Sequence, residues 1–392
     1  MRIRRRTVLI LATAVAAMLL ALVPAAGADE QYEFESPVYD IAAAPDGSIL
    51  VGENGGEAFT VKEIRKGEIG LVAEIDAETP IQGLSAIGRA NFFLTTSGTD
   101  LAQNGELWRV SRGVAREVAD LAAFERNNDP DAFEGPMWKD QRCEFIDGFS
   151  TGPQNNPFHV TTLSGSTVLV ADAAGNTLLS AKTNGAIDWV AVFTPPTDGN
   201  GEWLIRFHQD MVDEDTPIVG EPIPCYVQPV PTSVAIGPDG DLYVGELMGT
   251  LAFQEEEGLS SLLPIGLSRV WKIDAGASHV VCSERPEHAT GGCELFADGF
   301  TSIIDLEFGP DGKLYVVEYD EASWLAPFLS IAAEGGTIHA CDLGANCEVV
   351  ASELEFPSAI TFDKRGNLWL LENNDTRAIM GNPPTVRVLD LP

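Results

Sequence analysis

The chain has 392 residues and sets 24 Lys and Arg against 59 Asp and Glu, a formal net charge of −35. That balance excludes a protein that coats nucleic acid or lies on an anionic membrane, because phosphate affinity rests on basic surface. With 45% hydrophobic and 21% charged residues the chain is globular rather than disordered, and its length suits one large all-β domain or two ordinary ones.

Residues 1–28 read as a secretory signal: Arg2, Arg4, Arg5 and Arg6 make a basic start, Thr7 to Val23 is apolar, and Ala26-Gly27-Ala28 supplies small residues before Asp29. An uncleaved anchor is the alternative, but the run is at the short limit for a bilayer span and no later segment replaces it. Residues 29–392 are therefore expected to be one secreted or extracytoplasmic domain without a membrane span, with no break in composition to mark a second. Its acidic surface suits cations and cationic ligands.

In chain order, six segments align without gaps: Asp40–Glu53, Gly83–Thr96, His159–Asp172, Ser233–Glu246, Asp305–Glu318 and Ala359–Glu372. Each holds a short apolar strand, a turn and a second strand, and Asp239-Gly240 and Asp311-Gly312 supply the positive φ of a tight hairpin. Weaker strand pairs follow each hairpin. They are Phe59–Lys62 with Leu71–Ala73, Leu107–Val110 with Glu117–Ala119, Leu178–Ser180 with Trp189–Val192, Val270–Ile273 with Val280–Val281, and Thr337–His339 with Val349–Val350. The last hairpin has only Val386–Val388 after it.

Six units of four strands predict an all-β fold, a six-bladed β-propeller of antiparallel blades, in which the unused Tyr32–Glu35 completes the last blade and closes the ring. A parallel β-solenoid is the alternative, and the antiparallel turn signals and unequal spacings disfavour it. The long insertions fall between second and third strands or between blades. Alternating strand direction brings all of them out on one face, the expected binding face.

The six cysteines all follow the signal, and an even count in an exported chain implies disulfides. Cys341 and Cys347 flank a turn and Cys282 and Cys293 are the next closest pair, leaving Cys143 with Cys225. Zinc is the competing reading. No CxxC occurs and the histidines lie far from the cysteines in sequence.

The runs from Pro231 to Met248, Gly299 to Tyr319 and Pro157 to Thr194 closely resemble the ScyD/ScyE family, exported proteins related to NHL-repeat propellers. The resemblance covers essentially the whole mature chain and implies a six-bladed propeller. It brings no settled reaction and no catalytic residues.

In the aligned frame, position one (Asp40, Gly83, His159, Ser233, Asp305, Ala359) and position fourteen (Glu53, Thr96, Asp172, Glu246, Glu318, Glu372) lie at the same end of the hairpins. Asp40, His159 and Asp305 should stand nearest the central channel, with Ser233 beside them as a further ligand candidate. Converging carboxylates raise one another's proton affinity unless a cation offsets them, which makes calcium the candidate cofactor and Asp40 and Asp305 its candidate ligands. Two functions follow: a binding module for a small molecule, peptide or protein, or a metal-dependent, lactonase-like hydrolase or lyase using the channel-mouth carboxylates, with His159 or a carboxylate as base. The acidic ring Glu53, Asp172, Glu246, Glu318 and Glu372 reads as turn chemistry, each side chain accepting backbone N–H groups. His208, His279, His288 and His339 read as surface groups, and Trp324, Leu325, Phe328, Leu329 and Ile331 as an apolar cluster that packs over a blade or lids a ligand. Neither GxSxG nor a phosphate-cradling glycine loop occurs, so serine-hydrolase and nucleotide chemistry find no support.

Overall fold

A computed structural model describes residues 31–55, 58–132, 153–207, 225–251, 262–374 and 382–391. The chain forms a six-bladed β-propeller. The innermost strands of the blades are Val38–Ala43, Ile81–Gly88, Pro157–Ser164, Pro231–Ile236, Ile303–Phe308 and Pro357–Phe362. Each of these packs against the next and the last against the first, which closes the ring.

The hairpins form where turn chemistry forces them. Gly240 and Gly312 sit at φ +89° and +79°, values that glycine adopts without the steric cost of a Cβ. In the same turns the Asp239 and Asp311 carboxylates accept backbone N–H groups two residues on, and the Tyr243 and Tyr315 hydroxyls reach back to the same aspartates. The sheets then bury both faces. Six apolar clusters lie one between each pair of consecutive blades, for example Ala42, Leu50, Val61, Leu84, Phe92 and Leu94 between the first and second. Burial of such side chains at roughly 25 cal/mol per Å² is the main force joining blade to blade.

Ring closure takes the expected form. Gln31–Glu33 pairs antiparallel with Thr385–Leu389 as the outer strand of the sixth blade, and Phe34 beyond it is 3% exposed among Val38, Trp369 and Val386. One expected strand is differently placed. Val280–Cys282 is not the outer strand of the fourth blade but runs parallel to Ile187–Phe193 as a fifth strand on the third. The outer strand is Cys293–Phe300, which spans the whole of Ser268–Ile273 as the three-residue segment cannot.

The Cys282–Cys293 disulfide ties the two pieces together, and Cys341–Cys347 joins directly opposed residues of the fifth blade. Two disulfides fit an oxidising compartment. The signal at 1–28, and Cys143 with its expected bridge to Cys225, fall outside the described residues or depend on them. Among the described residues no helix is long and apolar enough to cross a membrane.

If the N-terminal segment is part of the ring's core, Phe34→Ala should cost about 3–5 kcal/mol in denaturant unfolding. Val114→Ala, at a side chain 71% exposed, should change stability by less than about 0.5 kcal/mol.

Candidate functional site at the channel

Every innermost strand carries a register shift just before position one. Val38 pairs with Glu53, Ile81 with Thr96, Pro157 with Asp172, Pro231 with Glu246, Ile303 with Glu318 and Pro357 with Glu372, after which the pairing slips. A bulge of this kind re-aims the side chain that follows it.

The structure brings three of the candidates together. His159 Nε2 lies 3.7 Å from Asp305 Oδ1 and 4.0 Å from Asp40 Oδ2, from blades three, five and one. All three are largely buried. Between them stand the small position-one residues of the even blades. Gly83 has a packing reason to be glycine, since a Cβ there would lie 2.9 Å from Val160 N and 3.0 Å from His159 Cα. Ser233 is fully buried, and its hydroxyl meets no hydrogen-bond partner among the described residues.

The three polar side chains share one task. Asp40 Oδ2 accepts Leu84 N–H at 2.6 Å, His159 Nδ1 accepts Val234 N–H at 3.3 Å and Asp305 Oδ2 accepts Ile360 N–H at 2.8 Å. Each bond runs from an odd blade to position two of the next blade. The remaining oxygens, Asp40 Oδ1 and Asp305 Oδ1, each accept the N–H of the following residue at 2.8 Å.

The other three junctions are crossed by hydroxyl side chains that the sequence reading did not single out. Ser85 Oγ accepts Thr162 N–H at 2.9 Å, Thr361 Oγ1 accepts Ala43 N–H at 3.1 Å, and Thr232 Oγ1 donates to Ile303 C=O at 2.7 Å. Ser85 and Thr361 both occupy position three, two residues along the same strand face, which is the signal that could have found them.

Burial dominates the electrostatics. It raises Asp305 to about 7, and it raises Asp40 well above the ordinary carboxylate range with the Asp305 charge adding to it. Glu307, at position three, is pushed up to about 8 by burial and then by Asp305. Burial lowers His159 to about 4. Because its Nδ1 accepts an N–H, the neutral ring carries its proton on Nε2, the nitrogen facing the carboxylates.

The position-fourteen acids form a separate set. Glu53 accepts Glu35 N–H at 3.1 Å, Glu372 accepts Glu355 N–H at 3.1 Å, Asp172 accepts Asn156 N–H at 2.6 Å, and Glu318 accepts Thr301 N–H. Four of the five meet a basic side chain from the third strand: Lys62 with Glu53, Arg269 Nε at 2.7 Å from Glu246, His339 Nε2 at 2.5 Å from Glu318, and Arg387 Nε at 2.6 Å from Glu372. His339 is therefore no free surface group. Asp172 has no such partner on its third strand.

Trp324 donates its indole N–H to Met248 C=O at 3.0 Å and so packs over the fourth blade, while Phe328 is 64% exposed. A cleft of about 450 Å³ lined by Leu163, Lys182, Trp189, Gly240 and Ala277 lies between blades three and four. It opens at the hairpin turns, the opposite end of the strands from Asp40 and His159.

No protein-family model matches the chain, and no curated protein matches it. Solved structures do. An oxidoreductase (glucose dehydrogenase) of Thermus thermophilus is 16% identical, with 92% of this chain and 99% of that one covered at a TM-score of 0.50. The PQQ-bound form of an aldose sugar dehydrogenase of Streptomyces coelicolor is 11% identical, with 91% and 95% covered at 0.51. At these identities the likeness is one of fold alone.

The buried carboxyls predict a pH dependence. A carboxyl raised by folding contributes stability that is complete below its unfolded value near 4 and is lost as pH rises through its folded value. A lowered His159 acts oppositely, and its contribution is already complete above about 6.5. In metal-free buffer the melting midpoint should therefore fall from pH 6.5 to 8.5, and Asp305→Asn should flatten that slope. A midpoint that rises over this range contradicts the assignment.

Proposed function

We propose that the protein is an exported β-propeller binding module of the ScyD/ScyE type, whose loop-bearing end takes a small molecule, a peptide or a partner protein. One observation carries this reading: Asp40, His159 and Asp305 are already committed to the backbone. Both carboxylates hold two N–H groups each, and His159 has spent its lone pair on Val234 N–H. A base must present a free lone pair to the proton it removes. The imidazole here presents Nε2–H instead, facing Asp40 and Asp305.

Antiparallel pairing sets the long connections at the strand ends where Asp40, His159 and Asp305 begin. The segment from Trp324 to Ile331 adds exposed apolar surface at that end, in an acidic protein. Such a face suits an apolar or cationic ligand.

The competing reading, a calcium-dependent lactonase-like hydrolase or lyase, requires Asp40 and Asp305 to bind the metal while keeping their N–H bonds. The two readings separate in one assay. Purified protein supplied with calcium or zinc should hydrolyse γ-lactones and nitrophenyl glycosides no faster than buffer, whereas turnover that disappears in Asp40→Asn would establish the hydrolase. A thermal-shift screen of cationic and apolar small molecules and peptides should return a saturable rise that Phe328→Ser weakens without moving the unliganded midpoint. A screen with no saturable rise contradicts the binding module.

A further inference from the structure

A second group of carboxylates lies away from the channel, where the second blade hands over to the third. The outer strand Val114–Asp120 runs directly into the helix Leu121–Asn128. Its first turn is capped by Asp120, whose carboxylate accepts Ala123 N–H at 2.7 Å. The buried face of this helix is Leu121, Ala122 and Glu125. A spacing of four places Glu125 directly below Leu121, so a carboxylate occupies a position that the helix otherwise fills with apolar side chains.

Glu125 is 1% exposed, and among the described residues no donor reaches either of its oxygens. The helix ends at Asp129, in the left-handed region at φ +43°, and a short turn, Pro130–Ala132, follows. The ligand atoms of Glu125, Asp129 and Asp131 lie within 4.8 Å of one another.

Asp172 supplies an independent observation from another element. It closes the second strand of the third blade just before the turn whose Asn176 reaches Asp131, and its Oδ2 is buried without a partner among the described residues. This is the one acid of the strand-end ring without a basic partner from its third strand. Asn176 Nδ2 donates to Asp131 Oδ2 at 3.0 Å and to Gln228 Oε1 at 2.7 Å. Arg126, next in sequence to Glu125, points elsewhere, donating to Ala102 C=O at 2.7 Å.

A buried carboxylate such as Glu125, set beside the half-buried Asp129 and Asp131, is stable only if it is protonated or shares a cation with them. The oxygen-only donor set, contributed by flexible side chains at the negative end of a helix, is what calcium accepts, and it offers no nitrogen or sulfur for a transition metal. We propose that Glu125, Asp129 and Asp131 form a calcium site that pins the link between the second and third blades, separate from the channel set.

The proposal stands apart from the binding function and is tested without it. Chelator-treated full-length protein is titrated calorimetrically with calcium chloride, with magnesium chloride as control, and melted with and without 10 mM calcium. One calcium should bind with a dissociation constant of about 0.1–1 mM, the range of extracellular modules. The melting midpoint should rise with calcium by mass action, with a smaller rise for magnesium. Glu125→Gln and Asp131→Asn should each weaken binding at least about tenfold, and Asp40→Asn should leave it unchanged. Circular dichroism confirms that each variant folds, and Asp129→Asn serves in place of any that does not. No heat and no shift up to 10 mM calcium would overturn the proposal. So would binding that survives Glu125→Gln and Asp131→Asn but is lost in Asp40→Asn, which would place the ion in the channel.

Discussion

A propeller leaves the inner edge of each innermost strand without a partner strand, facing the axis. Unpaired N–H and C=O groups in such a place cost about 1–3 kcal/mol each if nothing satisfies them. Here each of the six junctions is crossed by a side chain that bonds to the backbone of the neighbouring blade: Asp40, His159 and Asp305 from the odd blades, Ser85, Thr232 and Thr361 from the even ones. The alternation explains the rest of position one. A long polar side chain from one blade needs room, and Gly83, Ser233 and Ala359 leave it. The bulge before position one, present in all six blades, aims these side chains inward. Apolar burial between blades supplies most of the stability, while the side-chain bonds satisfy the backbone groups that burial strands.

The position-fourteen acids meet the opposite problem, at the outer rim of the same strand ends. Glu53, Asp172, Glu318 and Glu372 each hold an N–H group of the incoming chain, whereas Glu246 holds Arg269. Pairing with Lys62, Arg269, His339 or Arg387 offsets the cost of burying the charge. The third blade lacks that basic partner, and there the link from the second blade brings Glu125, Asp129 and Asp131 beside Asp172. A single missing basic residue thus connects an irregularity of the repeat to a site of different chemistry.

Much of this was legible in the sequence because a repeated hairpin repeats its residues. The gapless alignment placed all six inner hairpins and put Asp40, His159 and Asp305 on one axis, the incomplete last unit pointed to the closing strand, and cysteine spacing gave both described disulfides. What stayed hidden lies where the repeat is broken or where a role depends on a partner far along the chain. Val280–Cys282 alternates like an outer strand, but its length cannot cover Ser268–Ile273, and the chain crosses to the third blade instead. Ser85, Thr361 and Glu307 sit at position three, plain in the alignment once both channel-facing positions are compared rather than the first alone. Glu125 carries no pattern of its own, because a glutamate in a short polar helix looks exposed until the buried face is known.

The channel arrangement depends on a neutral His159 ring that accepts Val234 N–H through Nδ1 and carries its proton on Nε2, the nitrogen facing the two carboxylates. Nitrogen-15 NMR of histidine-labelled protein from pH 5.5 to 8 reads this directly. The account predicts the Nε2–H tautomer throughout, with no titration in that range. A His159 that titrates near 6.5, or carries its proton on Nδ1, would contradict it.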